Sequence, residues 1–151
     1  MKNIKPQSFT VQYDYIVNEL RTEIYVSNAI ILNDKTDITG KFYVGIWDTG
    51  ATNSVISKRI IRDFMLEPID IAIVHHAGGV SKCYVYLVSI VLPNKVRIPT
   101  LSVTEGTFED DFDLLIGMDI INKGDFAVTN QDNKTLFSFR YPSTEQIDFL
   151  K

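Results

Sequence analysis

Val44-Gly45-Ile46-Trp47-Asp48-Thr49-Gly50-Ala51 is an apolar run that ends in a carboxylate, a hydroxyl and a glycine. A carboxylate at the end of a buried strand is costly to hold as an anion without partners. Gly50 lets the backbone turn tightly and lets another segment approach closely. Thr49 offers a hydroxyl that can bond across to a second copy of the same loop. These are the properties of an acid–base carboxylate that works beside another carboxylate. Two such groups about 3 Å apart do not both ionise readily, so the pair holds one proton between them. The ionised member can take a proton from water while the protonated member hydrogen-bonds a carbonyl under attack. The plainer alternative is a structural turn in which Asp48 and Thr49 serve only local backbone.

Two further segments accompany the first. Residues 114–121 read Leu-Leu-Ile-Gly-Met-Asp-Ile-Ile, an apolar run, a glycine, then a short helical stretch. Between them His75-His76-Ala77-Gly78-Gly79-Val80 forms a Gly-rich tip flanked by apolar runs. In this order, over about residues 40–125, the chain resembles the retropepsin-like aspartic proteases, the single-domain retroviral-type peptidases and their cellular and bacterial relatives. The resemblance implies an all-β fold, a closed barrel or sandwich-like acid-protease domain with one or two short helices, spanning residues 1–151. It implies an aspartic endopeptidase with Asp48 as the catalytic carboxylate. Thr49, Gly50 and Ala51 would support the active-site loop, with Thr hydroxyls bonding across a dimer axis. His76, Ala77, Gly78, Gly79 and Val80 would form a flap over the substrate, and Ile116 and Gly117 would lie behind the site. No cofactor and no metal are implied.

Two-lobed aspartic proteases carry one such loop per lobe in a chain more than twice as long. Here Asp-Thr-Gly occurs once in 151 residues. The second carboxylate is therefore expected from a second copy, in a homodimer whose isologous two-fold places Asp48 opposite itself. The chain also departs from several retroviral members, which pair an Arg after the second glycine with an acidic residue soon after the triplet. Met118 and Thr52 stand at those positions, so loop support must come from elsewhere. Asp119 is expected either to cap the short helix or to bond the loop.

The remaining composition narrows the class. A 45% apolar content is ordinary for a globular domain, and 151 residues suit one domain. A net charge of −4, with 15 basic residues and no long basic run, argues against a nucleic-acid partner. Lys58, Arg59 and Arg62 read as a solvated helix face. Residues 1–20 lack a secretory apolar core, and no stretch reaches the ~18 apolar residues of a membrane helix. The expectation is a cytoplasmic protein with no membrane partner. The single Cys83 excludes an intrachain disulfide and reads as a plain strand position. His75 and His76 are adjacent, so on a strand they point to opposite faces and chelate poorly. Glu105, Glu109, Asp110, Asp111 and Asp113 lack the glycine and terminal glutamate of a calcium loop and read as a solvated acidic loop.

The elements that must position these groups are mostly strands. β-branched and aromatic runs between turn signals predict strands near residues 8–17, 22–33, 41–47, 69–76, 82–92, 95–103, 113–116, 125–129 and 135–140. Pro93-Asn94 and Asp132-Asn133 mark turns. A helix is expected from Ser57 to about Met65, with Ile60, Ile61 and Phe64 inward and Ser54 or Ser57 as cap. A second helix runs from Met118 to about Lys123, closed by Gly124 at a C-cap position. Two other functions fit the same elements. A non-catalytic module could bind an extended peptide as an added strand, and a β-barrel carrier would leave Asp48 facing solvent or a lone polar pocket.

Overall fold

The computed structural model describes residues 5–31, 39–109 and 111–151. In chain order its elements are β1 (Gln7–Gln12), β2 (Leu20–Asn28), β3 (Lys41–Trp47), β4 (Val55–Ser57), α1 (Lys58–Asp63), β5 (Asp70–His76), β6 (Gly79–Val91), β7 (Arg97–Gly106), β8 (Leu114–Ile116), α2 (Met118–Ile121), β9 (Asp125–Thr129) and β10 (Leu136–Tyr141), with a 3-10 turn at Gln131–Asn133. Strands β2-β3-β8-β4-β7-β6-β5 form one sheet, and an additional β2–β6 pairing closes it into a barrel with β5 left outside the ring. Closure removes unpaired edges from the ring. A second sheet, β1-β10-β9, packs its aromatic face against the barrel.

Inward residues follow the period of two along the strands. Ile24 and Val26 of β2, Val88 and Ile90 of β6, and Leu114 and Ile116 of β8 are fully buried. Between the sheets lies an aromatic cluster of Phe9, Trp47, Phe126, Phe137 and Phe139. Trp47 sits 4.9 Å from Phe139 and 5.3 Å from Phe137, centroid to centroid. These tilted and edge-on geometries are favourable for rings. The Trp47 indole N–H donates to Thr22 Oγ1 at 2.8 Å, so its one polar atom is satisfied inside the core. The residue before Asp48 is thereby fixed on all sides.

Strands β3 and β9 fall where the sequence places them. β1 stops at Gln12 rather than 17, because its partner β10 begins opposite it at Leu136; the Tyr13 hydroxyl then bonds β2, accepting from Arg21 N and donating to Arg21 O. The strand expected at 22–33 runs from Leu20 and ends at Asn28, with residues 29–31 outside any strand; 32 and 33 lie outside the described residues, as does Asp110. β4 has no counterpart among the expected strands. It is three residues long and takes its partners from distant chain, parallel to β7 and antiparallel to β8. Ser57 caps α1 by accepting from Ile60 N. α2 ends at Ile121, and Gly124 is needed for another reason than capping. A Cβ there would lie 2.1 Å from Arg140 O, so close approach to β10 excludes a side chain.

The acidic segment is only partly solvated. Asp113 is buried, accepting from Ser57 Oγ at 2.8 Å and pairing with Arg59 at 3.2 Å. Asp111 pairs with Arg21 at 2.7 Å. Cys83 is half-buried within β6.

Asp125 fastens the chain after β10. It accepts from Arg140 Nε at 2.8 Å, Ser143 Oγ at 2.5 Å and Thr144 N at 2.9 Å. Burial pushes its carboxyl up, but the bonds from Ser143, Thr144 and Arg140 outweigh burial and hold it at about 2. The folded value lies below the unfolded one of about 3.9. The stabilisation is therefore present above that value and is lost as pH falls through about 2. Denaturant midpoints should fall more steeply between pH 5 and pH 2 in the wild type than in Asp125→Asn. Parallel acid limbs would mean that Asp125 contributes nothing to the acid dependence of stability.

Candidate active site

Asp48 follows directly on β3, whose parallel pairing with β8 sets Trp47 opposite Ile116. Its backbone N–H donates to Ile116 O at 2.9 Å, so the residue leaves the barrel at a fixed point. Its carboxylate turns back, Oδ1 accepting from Gly50 N at 2.8 Å, and Ala51 N donates to Asp48 O at 3.2 Å. Asp48 and Ala51 are half-buried, while Thr49 and Gly50 are exposed at the tip. Among the described residues, Asp48 Oδ2 and the Thr49 hydroxyl have no hydrogen-bond partner. A desolvated stem thus presents a carboxylate with one oxygen held and one available.

The loop is supported from behind by residues 117–119. Met118 N donates to Ala51 O at 2.8 Å and Asp119 N to Thr52 O at 3.1 Å. Gly117 leaves no space for a side chain, since a Cβ would lie 2.8 Å from Ala51 O and from Asn53 C. Asp119 does not cap its own helix. Its carboxylate accepts from Ser54 N at 2.9 Å and Ser54 Oγ at 2.8 Å, and Ser54 Oγ accepts from Gly117 N at 3.1 Å. Ile116 is fully buried beneath.

Beside Asp48 lies a cavity of about 520 Å³ whose walls include Leu20, Trp47, Thr49, Phe112, Leu115 and Phe126. A volume in this range can take a substantial side chain. Its walls come from four separate parts of the chain. The sequence marks Leu115 and Trp47 within motifs, but nothing local distinguishes Leu20, Phe112 or Phe126 from ordinary core positions.

Strands β5 and β6 form a hairpin that extends beyond the barrel. The expected tip spans residues 75–80, but the pairing runs through His75↔Val80 and His76↔Gly79, leaving only Ala77 and Gly78 in the turn. Gly79 has φ +124°, a conformation that side chains resist. His76 closes the turn, Nδ1 accepting from Gly78 N at 3.1 Å and Nε2 bonded to Ser81 Oγ at 2.8 Å. Ile71, Ile73, Val80 and Tyr84 are 49–64% exposed. By strand alternation and register they lie on the same side as the buried Tyr86 and Val88. Lys82 and His75 share this side, so the core face continues along the hairpin into open space as a largely apolar surface. His75 and His76 alternate across β5. Among the described residues no group of three or more His, Cys, Asp or Glu is placed to hold a metal ion, and no helix is long and apolar enough to cross a membrane.

The family model for aspartyl proteases matches residues 35–120, more than half of the chain. Among solved structures, a retropepsin-like aspartic protease from Rickettsia conorii aligns with a TM-score of 0.55 at 11% identity. That alignment covers 93% of this chain and 98% of the other. Simian foamy virus (mac) protease aligns at 0.47 and 14% identity over 68% of this chain and 92% of that one. EIAV protease complexed with the inhibitor HBY-793 aligns at 0.48 and 15% identity over 70% and 86%. No curated protein matches the chain. The family match over residues 35–120 and the near-complete alignment with the rickettsial structure agree with the geometry of the loop, and the chain belongs to the aspartyl protease family with a retropepsin-like fold.

Proposed function

We propose that the protein is a homodimeric aspartic endopeptidase that hydrolyses peptide bonds with a water activated by two Asp48 carboxylates, one from each subunit. The observation that carries this reading is the Asp48 loop itself. It ends a rigid apolar strand, holds one carboxylate oxygen on Gly50 N, and leaves the other oxygen and the Thr49 hydroxyl unpartnered at an exposed tip. Each chain has one such loop, so a shared-proton pair needs a second copy. Across the two-fold, the two Thr49 hydroxyls and the Gly50 backbone hold the loops together, with Ala51 and Gly117 fixing each loop from behind.

In the pair, one Asp48 is ionised and takes a proton from the bound water. The other is protonated and hydrogen-bonds the scissile carbonyl oxygen. Water attack gives a tetrahedral intermediate, and transfer of a proton to the leaving nitrogen completes cleavage with no covalent enzyme intermediate. The apparent pKa values of such a dyad belong to the pair. The β5–β6 hairpin acts as the flap. Its tip, His76 to Val80, closes over the peptide, and its exposed Ile71, Ile73 and Tyr84 supply an apolar ceiling.

Sedimentation at working concentration, run beside cleavage of a peptide library, tests the reading. The expected result is a dimer that cleaves peptides, with amide exchange across residues 75–81 slowing when a transition-state mimic binds. A persistent monomer that binds extended peptides and cuts none would make the chain a peptide-binding module. Equal, strong protection of residues 75–81 in both states would make the hairpin a rigid element and remove the flap role.

A further inference from the structure

We propose that Asp119 is a positioning residue for Asp48, acting through Ser54 as a clamp on the returning end of the loop. The inference rests on the peptidase reading above and adds to it the group that holds the reacting carboxylate in register.

The loop from Asp48 to Ser54 leaves β3 and re-enters the barrel at β4. Thr49, Gly50, Thr52 and Asn53 are exposed, so the loop does not hold itself by burial. The one side-chain bond at its tip is Asp48 Oδ1 to Gly50 N. Its shape is imposed from the other side, by residues 117–119. Two backbone bonds, Met118 N to Ala51 O and Asp119 N to Thr52 O, hold its middle. The Asp119 carboxylate holds its end.

That end is built as a closed ring. Ser54 is fully buried. Its N–H and hydroxyl both donate to the Asp119 carboxylate, at 2.9 and 2.8 Å, while its hydroxyl oxygen accepts from Gly117 N at 3.1 Å. Each polar group of Ser54 that faces this segment is therefore used. The carboxylate is free for this work because α2 has no side-chain cap and is only four residues long. The ring stands at the loop base, where Met118 and Thr52 offer no ion pair.

Removing the carboxylate leaves a buried N–H and a buried hydroxyl without their acceptor, a state that costs more than the bond itself contributes. The loop end must then move to find water or new partners. Asp48 is the first residue of the same seven-residue loop, and a displacement of about 1 Å in a reacting group costs up to about 100-fold in rate. In the peptidase reading the β5–β6 hairpin covers the peptide and is untouched by the change, so turnover should suffer more than affinity. Charge is not the essential property. An amide at 119 keeps both contacts if its oxygen faces Ser54 N and its NH2 faces Ser54 Oγ, at the expense of one hydroxyl hydrogen.

The test is steady-state kinetics on a peptide that the wild-type dimer cleaves, with dimerisation confirmed for every variant. Asp119→Ala and Ser54→Ala should each lower kcat about 10- to 100-fold while KM changes by less than about 3-fold. Asp119→Asn, which keeps both contacts but leaves one buried hydroxyl hydrogen unpaired, should recover part of the lost kcat. The double variant Ser54→Ala/Asp119→Ala should be no slower than the slower single variant, because both remove one clamp. Wild-type kcat in both alanine variants would overturn the proposal, as would equal losses in Asp119→Asn and Asp119→Ala. If Asp119→Ala does not fold, Ser54→Ala, which deletes one oxygen, decides. Amide exchange supplies a readout independent of activity. Residues 49–54 should exchange faster in Ser54→Ala than in the wild type while α1 is unchanged, and unchanged exchange there would contradict the clamp. A wild type that cleaves no peptide, yet shows this local exchange effect, would sink the peptidase reading and leave the clamp as a feature of the fold.

Discussion

Asp48→Asn is expected to lower peptide cleavage by roughly 10⁴-fold or more while leaving the fold and the dimer intact. An amide has the shape of the carboxylate and its oxygen can still accept from Gly50 N, the bond that orients the side chain at 2.8 Å. It cannot take a proton from water, and it cannot share one with its counterpart. The strand beneath, locked by Trp47 against Thr22 and the aromatic cluster, is untouched. Stability should therefore barely change. Measurement of kcat beside Tm separates the two effects. Mixed with wild-type chains, the variant should also inactivate its partner, because a heterodimer holds only one carboxylate. Activity should then fall as the square of the wild-type fraction. Retained cleavage in pure Asp48→Asn would mean that another group performs the chemistry.

Gly117→Ala should cost both stability and turnover. The backbone here has φ −92°, open to any residue, so the requirement for glycine is room and not conformation. A Cβ would lie 2.8 Å from Ala51 O, 2.8 Å from Asn53 C and 2.9 Å from Asn53 O, all of them backbone atoms. No rotamer change relieves such contacts. The Asp48 loop must move away from residues 117–119, lengthening the bond from Met118 N to Ala51 O and opening the ring at Ser54. Overpacking of this kind costs about 1–3 kcal/mol, which lowers Tm by several degrees in a chain of this size at roughly 2–4 °C per kcal/mol. The displaced loop should lower kcat about 100-fold. Wild-type Tm together with wild-type kcat would show that the loop and residues 117–119 are not tightly coupled.

Strands with long, regular apolar patterns are legible in the amino-acid sequence. β3 and β9 fall at their expected bounds because each alternates or runs apolar between clear punctuation. The family resemblance rests on three short segments, and its fold is the one found. What local pattern does not reveal is set by distant contacts. Val55-Ile56-Ser57 is too short to read as a strand, and it becomes one only because β7 and β8 lie on either side of it. The expected broad tip at 75–80 is narrower because His76 bonds both Gly78 N and Ser81 Oγ, zipping the hairpin to its last two residues. Gly124 reads as a cap in sequence and proves to be a point of close approach to Arg140 O. Asp113 reads as one of a solvated acidic group, yet Ser57 and Arg59 meet it in a buried position. The most consequential case is Asp119. Its sequence context leaves helix capping and loop bonding equally open, and the 65-residue separation from Ser54 puts its actual partner beyond any local pattern. The same holds for the cavity beside Asp48, whose walls are assembled from segments that only folding brings together.

In the proposed enzyme two Asp48 carboxylates form one catalytic pair. The most direct test of this pairing is a crystal structure of the protein bound to a peptide-like transition-state mimic. The expected complex holds one mimic per two chains, lying on a two-fold axis under the β5–β6 hairpins, with the two Asp48 carboxylates about 3 Å apart and both within hydrogen-bond reach of its tetrahedral centre. A complex in which each mimic contacts a single Asp48, with the second carboxylate remote or turned to solvent, would contradict the pairing.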